Sequence, residues 1–258
     1  MKRFIDEFEV IGNRRINQEY VILTLKHPGK LPDMLPGQFA EVKANNAPDS
    51  FLRRPISIHD IDMANNLIKL LIREVGEGTK SIGQTQVGNH LSLVYPLGNG
   101  FSMPASKEAK LLLVGGGCGI APMLFLGRVL KSNGYKPEFL FGARNASGLL
   151  ELDEFNLLGK VYTTTEDGSH GTKGYVIHSP VMRTLNPDID LIYTCGPDAM
   201  MRVVAKYARE HGILCEVSLE NTMACGIGVC LCCVTDTVDG HQCVCTEGPI
   251  FDSKKLKW

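Results

Sequence analysis

Lys110-Leu111-Leu112-Leu113-Val114-Gly115-Gly116-Gly117-Cys118-Gly119-Ile120-Ala121-Pro122 decides the architecture of this chain. Lys110–Val114 is a compact apolar run of strand type, five residues of glycine-rich turn follow, and a helical pattern opens at Ala121 and runs to Ser132. The glycines let backbone approach a pyrophosphate, and the helix that follows presents its first amides to negative charge. Pro122 suits the first helical turn, where a missing N–H costs nothing. An ordinary tight strand-to-helix turn does not need this many glycines, and the strand-then-helix context is what gives them meaning.

Outward from this stretch the alternation continues. Glu138–Phe141, Lys160–Thr164 and Asp190–Thr194 read as further strands, with helical segments between and after them, including Asp198–His211, which ends before Gly212. Strands alternating with helices predict a doubly wound, Rossmann-like parallel sheet over residues 102–213. Upstream, residues 1–101 hold short runs at Glu19–Leu25, Gln38–Val42, Pro55–His59, Leu67–Glu74 and His90–Tyr95, separated by Pro, Gly and Asn turns, with no helix of convincing length. That spacing predicts a small antiparallel barrel. Residues 214–258 form a Cys- and Gly-rich tail with little periodicity. The fold class is therefore multi-domain, β followed by α/β, with a small C-terminal segment.

Composition narrows the functional classes. The 258 residues are 44% hydrophobic and 21% charged, which reads as soluble and globular. A net charge of -1 offers no pull toward nucleic acid or an anionic membrane. Met1–Val10 interleaves Asp6, Glu7 and Glu9 with apolar residues, unlike a signal peptide, and no apolar run reaches membrane-spanning length.

Of nine cysteines, Cys118, Cys195 and Cys215 are scattered, whereas Cys225, Cys230, Cys232, Cys233, Cys243 and Cys245 fall within the last 34 residues. Such crowding without a secretion signal favours metal over disulfides and makes a reduced cytoplasm the expected setting. Cys225-x4-Cys230-x2-Cys233 with a later cysteine is the spacing that holds a [2Fe–2S] cluster in plant-type ferredoxins. Gly226 and Gly228 free the loop for positive φ. A zinc ribbon would need a second Cys-x2-Cys pair, and only Cys243-x-Cys245 is available. By spacing alone, Cys243 and Cys245 compete for the fourth place, and Cys232 beside Cys233 leaves a slipped ligand set open.

Two further groups of residues suit dinucleotides. Arg53-Arg54-Pro55-Ile56-Ser57 sets paired guanidinium groups beside a strand hydroxyl, good donors for a diphosphate, and Gly76-Glu77-Gly78-Thr79 adds a close-approach turn. With a nucleotide domain following, they point to a flavin dinucleotide. In the nucleotide domain Gly117 and Gly119 form the phosphate turn, and Cys195-Gly196-Pro197 closes the last apolar strand, at the sheet end where ligands bind. Thr165-Glu166-Asp167-Gly168 ends another strand at the same edge. The acid that usually binds ribose after the second strand is replaced by Gly142-Ala143-Arg144, so the residues alone leave NAD and NADP both open.

Arg54-Pro55-Ile56-Ser57, Gly76-x-Gly78-Thr79, Gly117-Cys118-Gly119-Ile120-Ala121-Pro122 and Cys195-Gly196-Pro197 occur in the order seen in ferredoxin–NADP reductase-like flavoproteins. With Met223-Ala224-Cys225-Gly226-Ile227-Gly228-Val229-Cys230 and Cys245-Thr246-Glu247-Gly248-Pro249-Ile250-Phe251, the chain resembles the electron-transfer subunits of class B dihydroorotate dehydrogenases over essentially its whole length. The resemblance implies an FAD-binding barrel (residues 1–101), an NAD-binding domain (102–213) and a cluster segment (214–258). It makes Cys225, Cys230, Cys233 and Cys245 the iron ligands. It assigns FAD and NAD to Arg54, Pro55, Ile56, Ser57, Gly76, Gly78, Thr79, Gly117, Gly119, Cys195 and Gly196, with no catalytic side chain of its own. It also implies an FMN-containing catalytic partner subunit in a two-plus-two heterotetramer, and a place in pyrimidine biosynthesis. Ile56 departs from the aromatic residue usual at that place in the reductases, which removes ring stacking by that side chain from the expectation. The competing readings are an electron-input subunit of a ferredoxin reductase or hydrogenase, a flavin reductase with a structural zinc tail, and a non-enzymatic zinc-binding module.

Overall fold

The computed structural model describes residues 2–45, 47, 50–184 and 188–258. Its first compact unit comprises residues 1–100, 221–235 and 242–249, and its second comprises 101–220, 236–241 and 250–258.

The first unit is built on a closed antiparallel barrel of β1 (Phe4–Arg15), β2 (Tyr20–Lys26), β3 (Phe39–Val42), β4 (Arg54–Asp62), β5 (Leu67–Arg73) and β6 (His90–Leu97), in the order β1-β2-β5-β4-β3-β6. The expected barrel is present, with one strand more than the runs named from sequence. The charged and apolar alternation near the start of the sequence belongs to β1. Strand alternation sends Phe8, Val10, Leu23, Leu25, Ile58, Leu70, Leu91 and Leu93 into full burial. A helix also interrupts the barrel strands: α1 (Glu77–Gly83) begins where the sequence suggested only a turn. It is one short helix whose start is fastened by Thr79, whose hydroxyl accepts from the amides of Val75 and Gly76, both at 3.1 Å.

The second unit carries a seven-stranded sheet in the order β10-β9-β8-β7-β11-β12-β15. Its members are β7 (Leu111–Gly116), β8 (Pro137–Ala143), β9 (Val161–Thr165), β10 (Thr172–Lys173), β11 (Leu191–Cys195), β12 (Leu214–Ser218) and β15 (Ile250–Asp252). All pairs are parallel except β12 with β15. Helices α2 (Ala121–Ser132), α3 (Leu152–Asn156) and α4 (Asp198–Glu210) link the strands. The sequence reading began the aperiodic tail at residue 214. The chain instead continues as β12, because Cys215 and Val217 are buried against the sheet while Leu214 and Glu216 are more open. Between the last two sheet strands, β13 (Val234–Thr237) and β14 (Gly240–Cys243) form a two-stranded hairpin.

Burial on both faces explains the apolar runs of the central strands: Leu113, Val114, Phe139, Leu140 and Ile192 are fully enclosed. Phe155 of α3 is also 0% exposed, with its ring 4.5 Å from Phe141 and 5.2 Å from Phe139, edge to face in both pairs. Truncation there removes about 3–5 kcal/mol, the usual range for a buried aromatic. Phe155→Ala should therefore lower the urea midpoint of the nucleotide-domain transition, and an unchanged midpoint would contradict this packing.

Candidate functional site

The cluster loop lies wholly in the first unit. Its four expected ligand sulfurs each accept a backbone N–H. Cys225 Sγ accepts from Ile227 (3.4 Å) and Cys230 (3.5 Å), and Cys230 Sγ accepts from Cys232 (3.5 Å). Cys233 Sγ accepts from Cys245 (3.4 Å), and Cys245 Sγ accepts from Gly228 (3.1 Å). Directing amides inward requires left-handed backbone at Gly226 (φ 65°), Leu231 (φ 59°) and Gly228 (φ 84°). Glycine is needed twice over at the first and last. A Cβ on Gly226 would stand 2.7 Å from Glu41 Cγ, and one on Gly228 would stand 2.9 Å from Thr246 Cγ2.

The sulfurs are arranged in two pairs. Cys225 and Cys230 share a thiol hydrogen bond, as do Cys233 and Cys245. Among the described residues, no three His, Cys, Asp or Glu side chains gather as a single bound ion requires. Two pairs of sulfurs suit a two-iron cluster with four cysteine ligands. The donor set and the loop amides therefore fit a [2Fe–2S] group. The two extra cysteines stand differently. Cys232 directs its own S–H to Thr222 O at 3.6 Å, whereas the amide of Cys243 is bonded to Glu247 Oε2 at 2.7 Å. Neither Sγ accepts a backbone amide among the described residues.

Burial pushes the Cys225 thiol up, but the hydrogen bonds it receives outweigh this and lower it to about 6. Burial raises Cys245 to about 12, with Cys233 adding to the effect. One sulfur of each pair is thus shifted, Cys225 down and Cys245 up, before metal is bound, and iron replaces the protons.

The flavin motifs come together on the barrel. Arg54, at the start of β4, donates to Leu52 O (2.7 Å), Arg53 O (3.2 Å) and Ser50 Oγ (2.7 Å). A Cβ on Gly78 would meet Arg54 Nε at 2.7 Å, so the guanidinium lies against the backbone of α1, and only glycine leaves it room. Arg53 is committed elsewhere, donating to Ser92 O (2.6 Å) and Ser92 Oγ (3.1 Å). Pro55, Ile56 and Ser57 are half-buried along β4, and Gly76 has open space at its Cα. Both arginines are thus hydrogen-bonded within the barrel unit, and the half-buried residues of β4 and the open Cα of Gly76 leave a surface that fits a dinucleotide along β4 and the start of α1. Thr79 is occupied by its helix cap.

In the second unit, the turns after β7 and β11 press together. A Cβ on Gly119 would collide with the Cys195 carbonyl, and one on Gly196 (φ 147°) would stand 2.8 Å from Gly116 O. Gly117 (φ 58°) makes the turn itself. Gly119 thus allows two strand ends to meet, a packing role beside the phosphate approach expected from sequence. The amides of Glu166 and Asp167 bond the carbonyls of Ala143 and Arg144, at 3.0 and 3.2 Å, so the ends of β8 and β9 are tied. Sequence reasoning missed Glu220, which lies just past β12. Its Oε1 accepts from Cys195 Sγ at 3.7 Å and from Cys118 Sγ at 4.0 Å. No local motif signals Glu220; its proximity to both cysteines arises from strand order. Cys195 is fully buried, and burial, with Glu220 adding, holds its thiol far above the ordinary range.

Residues 220–257 match the iron–sulfur cluster binding domain of dihydroorotate dehydrogenase B, and residues 113–206 match the oxidoreductase NAD-binding domain. The electron transfer subunit of dihydroorotate dehydrogenase B (NAD+) from Lysinibacillus sphaericus is 37% identical over 95% of this chain and 96% of its own length. The corresponding subunit of Caldanaerobacter subterraneus is 37% identical over 96% of each. This chain belongs to the family of dihydroorotate dehydrogenase B electron transfer subunits. It is an oxidoreductase subunit, as the resemblance implied. A solved NADH-dependent reduced ferredoxin–NADP oxidoreductase is also similar, with a TM-score of 0.84 and 27% identity over 97% of this chain and 90% of that one. The ferredoxin reductase of a carbazole dioxygenase system, at 20% identity and a TM-score of 0.71 over 83% of this chain and 67% of that one, shares the fold. No helix among the described residues is long and apolar enough to cross a membrane.

Glu41 of β3 backs the cluster loop. It is 1% exposed, and among the described residues neither carboxylate oxygen has a hydrogen-bond partner. Burial raises its carboxyl from 4.5 to about 7, against the lowering pull of Arg53. In cluster-free protein its contribution to stability is complete below its ordinary value of 4.5 and is lost as pH rises through 7. Glu41→Gln does not titrate, so its stability advantage over the parent should grow from pH 4.5 to 7 and then level off. Parallel stability curves in urea titrations across this range would refute the assignment.

Proposed function

We propose that this chain relays electrons between the FMN of a dihydroorotate dehydrogenase catalytic subunit and NAD, using its own [2Fe–2S] cluster and FAD. It works in pyrimidine biosynthesis in the cytoplasm, in a heterotetramer of two catalytic and two electron-transfer subunits. The paired cysteines with amides aimed at all four sulfurs carry this reading, alongside the 37% identity to named subunits of this kind.

A flavin exchanges two electrons with nicotinamide and single electrons with an iron–sulfur cluster, so the two groups together connect a hydride carrier to a one-electron path. The chain's own residues bind and orient. Cys225, Cys230, Cys233 and Cys245 hold iron, and the loop amides offset the negative charge on their sulfurs. Arg54, with Pro55, Ile56, Ser57, Gly76 and Gly78, holds the FAD, and Thr79 fastens the start of α1 beside them. Ile56 contributes an aliphatic surface. Gly117, Gly119, Cys195 and Gly196 shape the NAD crevice at the carboxyl ends of β7 and β11. The domain assignment follows the two units: residues 1–100 for FAD, 101–220 for NAD, and the cluster in residues 221–235 and 242–249, which belong to the barrel unit.

The similarity to the ferredoxin–NADP oxidoreductase chain supports a second reading, an electron-input subunit of a ferredoxin reductase. Co-purification of the native partner separates the two, since an FMN-bearing dihydroorotate-oxidising subunit supports the first and a ferredoxin reductase large subunit the second.

Cys230→Ser should abolish NADH-dependent electron delivery to the catalytic partner while leaving NADH-driven reduction of artificial dyes largely intact. Steady-state assays of both reactions on the same preparation decide it. Equal loss of the two would overturn the proposed order of centres, and anaerobically purified parent protein without iron or acid-labile sulfide would remove the cluster.

A further inference from the structure

The second unit has another concave surface, at the end of its sheet opposite the glycine turns. A cavity of about 610 Å³ opens there, lined by residues of that unit and within the size range of small-molecule sites. It lies at the amino-terminal ends of β7, β8 and β9, whereas the glycine turns follow the carboxyl ends of β7 and β11. The proposed electron relay makes no use of this end of the sheet.

Each of the three strands is entered through a lysine that lines the cavity. Lys110 precedes Leu111, Lys136 precedes Pro137 and Lys160 precedes Val161. The strands lie side by side in the order β9-β8-β7, and Leu111 pairs with Pro137. The backbones of Lys110 and Lys136 are therefore one strand spacing apart, about 4.8 Å. Like charges set side by side in a sheet repel. Among the described residues, neither ammonium group has a hydrogen-bond or ion-pair partner. Lys160 differs, with its ammonium 4.5 Å from the ring centre of Tyr162.

Glu138 and Tyr162 line the same cavity and are half-buried. Tyr162 donates to Glu138 Oε2 at 3.1 Å, and Oε1 has no hydrogen-bond partner among the described residues. A carboxylate within Pro137-Glu138-Phe139-Leu140-Phe141 is unfavourable in a covered sheet unless polar groups meet it. Leu111, Val181 and Ile189 supply apolar wall, and the exposed Glu108 and Asp188 add negative charge. With four lysines against three acids, the lining is no plain basic patch. A bare anion matches only part of it. A molecule with a phosphate at one end and hydroxyl donors at the other matches both kinds of wall. We propose that this cavity binds a phosphate monoester of a hydroxylated ring, a mononucleotide or a sugar phosphate. Its phosphate lies on Lys110 and Lys136, and a ring hydroxyl donates to Glu138.

The test is isothermal titration calorimetry on the full-length holoprotein with NAD+ at saturation, which keeps other phosphates off the glycine turn. The probes are inorganic phosphate, ribose 5-phosphate, and the 5′-monophosphates of adenosine and uridine. The esters should bind more tightly than inorganic phosphate. Replacing both lysines, Lys110→Ala with Lys136→Ala, should weaken every ester about tenfold, as loss of charge-assisted hydrogen bonds does. Glu138→Gln should weaken the esters about fivefold without weakening inorganic phosphate. NAD+ affinity, measured separately, should be the same in parent and variants, which shows that the sheet is intact. A preference for either nucleotide over ribose 5-phosphate supports a mononucleotide, and equal affinities support a sugar phosphate. Inorganic phosphate binding as tightly as the esters overturns the proposal. So does an absence of ester binding, or variants that bind the esters as the parent does. If NAD+ itself fails to bind, the NAD reading falls, and the same variant comparisons still decide this one.

Discussion

Backbone amides aimed at sulfur are the interaction on which this protein depends. A thiolate cluster concentrates negative charge, and a loop that encloses it must present donors from the main chain or leave that charge uncompensated. Here each expected ligand sulfur receives at least one amide, and the left-handed residues of the loop turn those amides inward. The same criterion separates ligand from bystander, because neither Cys232 Sγ nor Cys243 Sγ receives such a bond among the described residues. The cost is borne at Leu231, whose positive φ is unfavourable for a branched residue with a Cβ.

Close backbone approach is the corresponding constraint elsewhere. Gly78 allows a guanidinium to lie on α1, and Gly119 allows the end of β11 to meet the turn after β7. In both places the missing side chain is filled by protein. The glycine-rich signature therefore records the packing that builds a binding surface as well as the path of a ligand across it. Glu41 shows the opposite tactic, a buried carboxyl retained beside the loop with no hydrogen-bond partner for its oxygens among the described residues.

Much of the fold was legible because its periodicities are strong. Helix α2 spans the residues expected from its pattern, and the barrel and sheet strands lie within a few residues of the apolar runs that announced them. Other elements escaped, and three of them show the physical reasons. Strand β1 alternates with acidic residues and reads as polar chain until its partners cover one face. Helix α1 is seven residues long, below the length at which helical periodicity is visible. Strand β15 is three residues long and exists only because the edge of β12 is there to pair with it.

The sequence by itself determined the classes of chemistry. Cysteine spacing, glycine runs after strands and paired arginines are local patterns, and each carries its physical meaning without knowledge of its neighbours. The tertiary structure alone decided which partners those residues have. It committed Arg53 to Ser92 and left Arg54 against Gly78, divided the sulfurs into two pairs, and assigned the cluster loop to the same compact unit as the barrel while the last strand joined the nucleotide sheet. It also brought Glu220 to two cysteines 102 and 25 positions away. Such meetings depend on strand order and register, which set distances between residues that no local pattern connects.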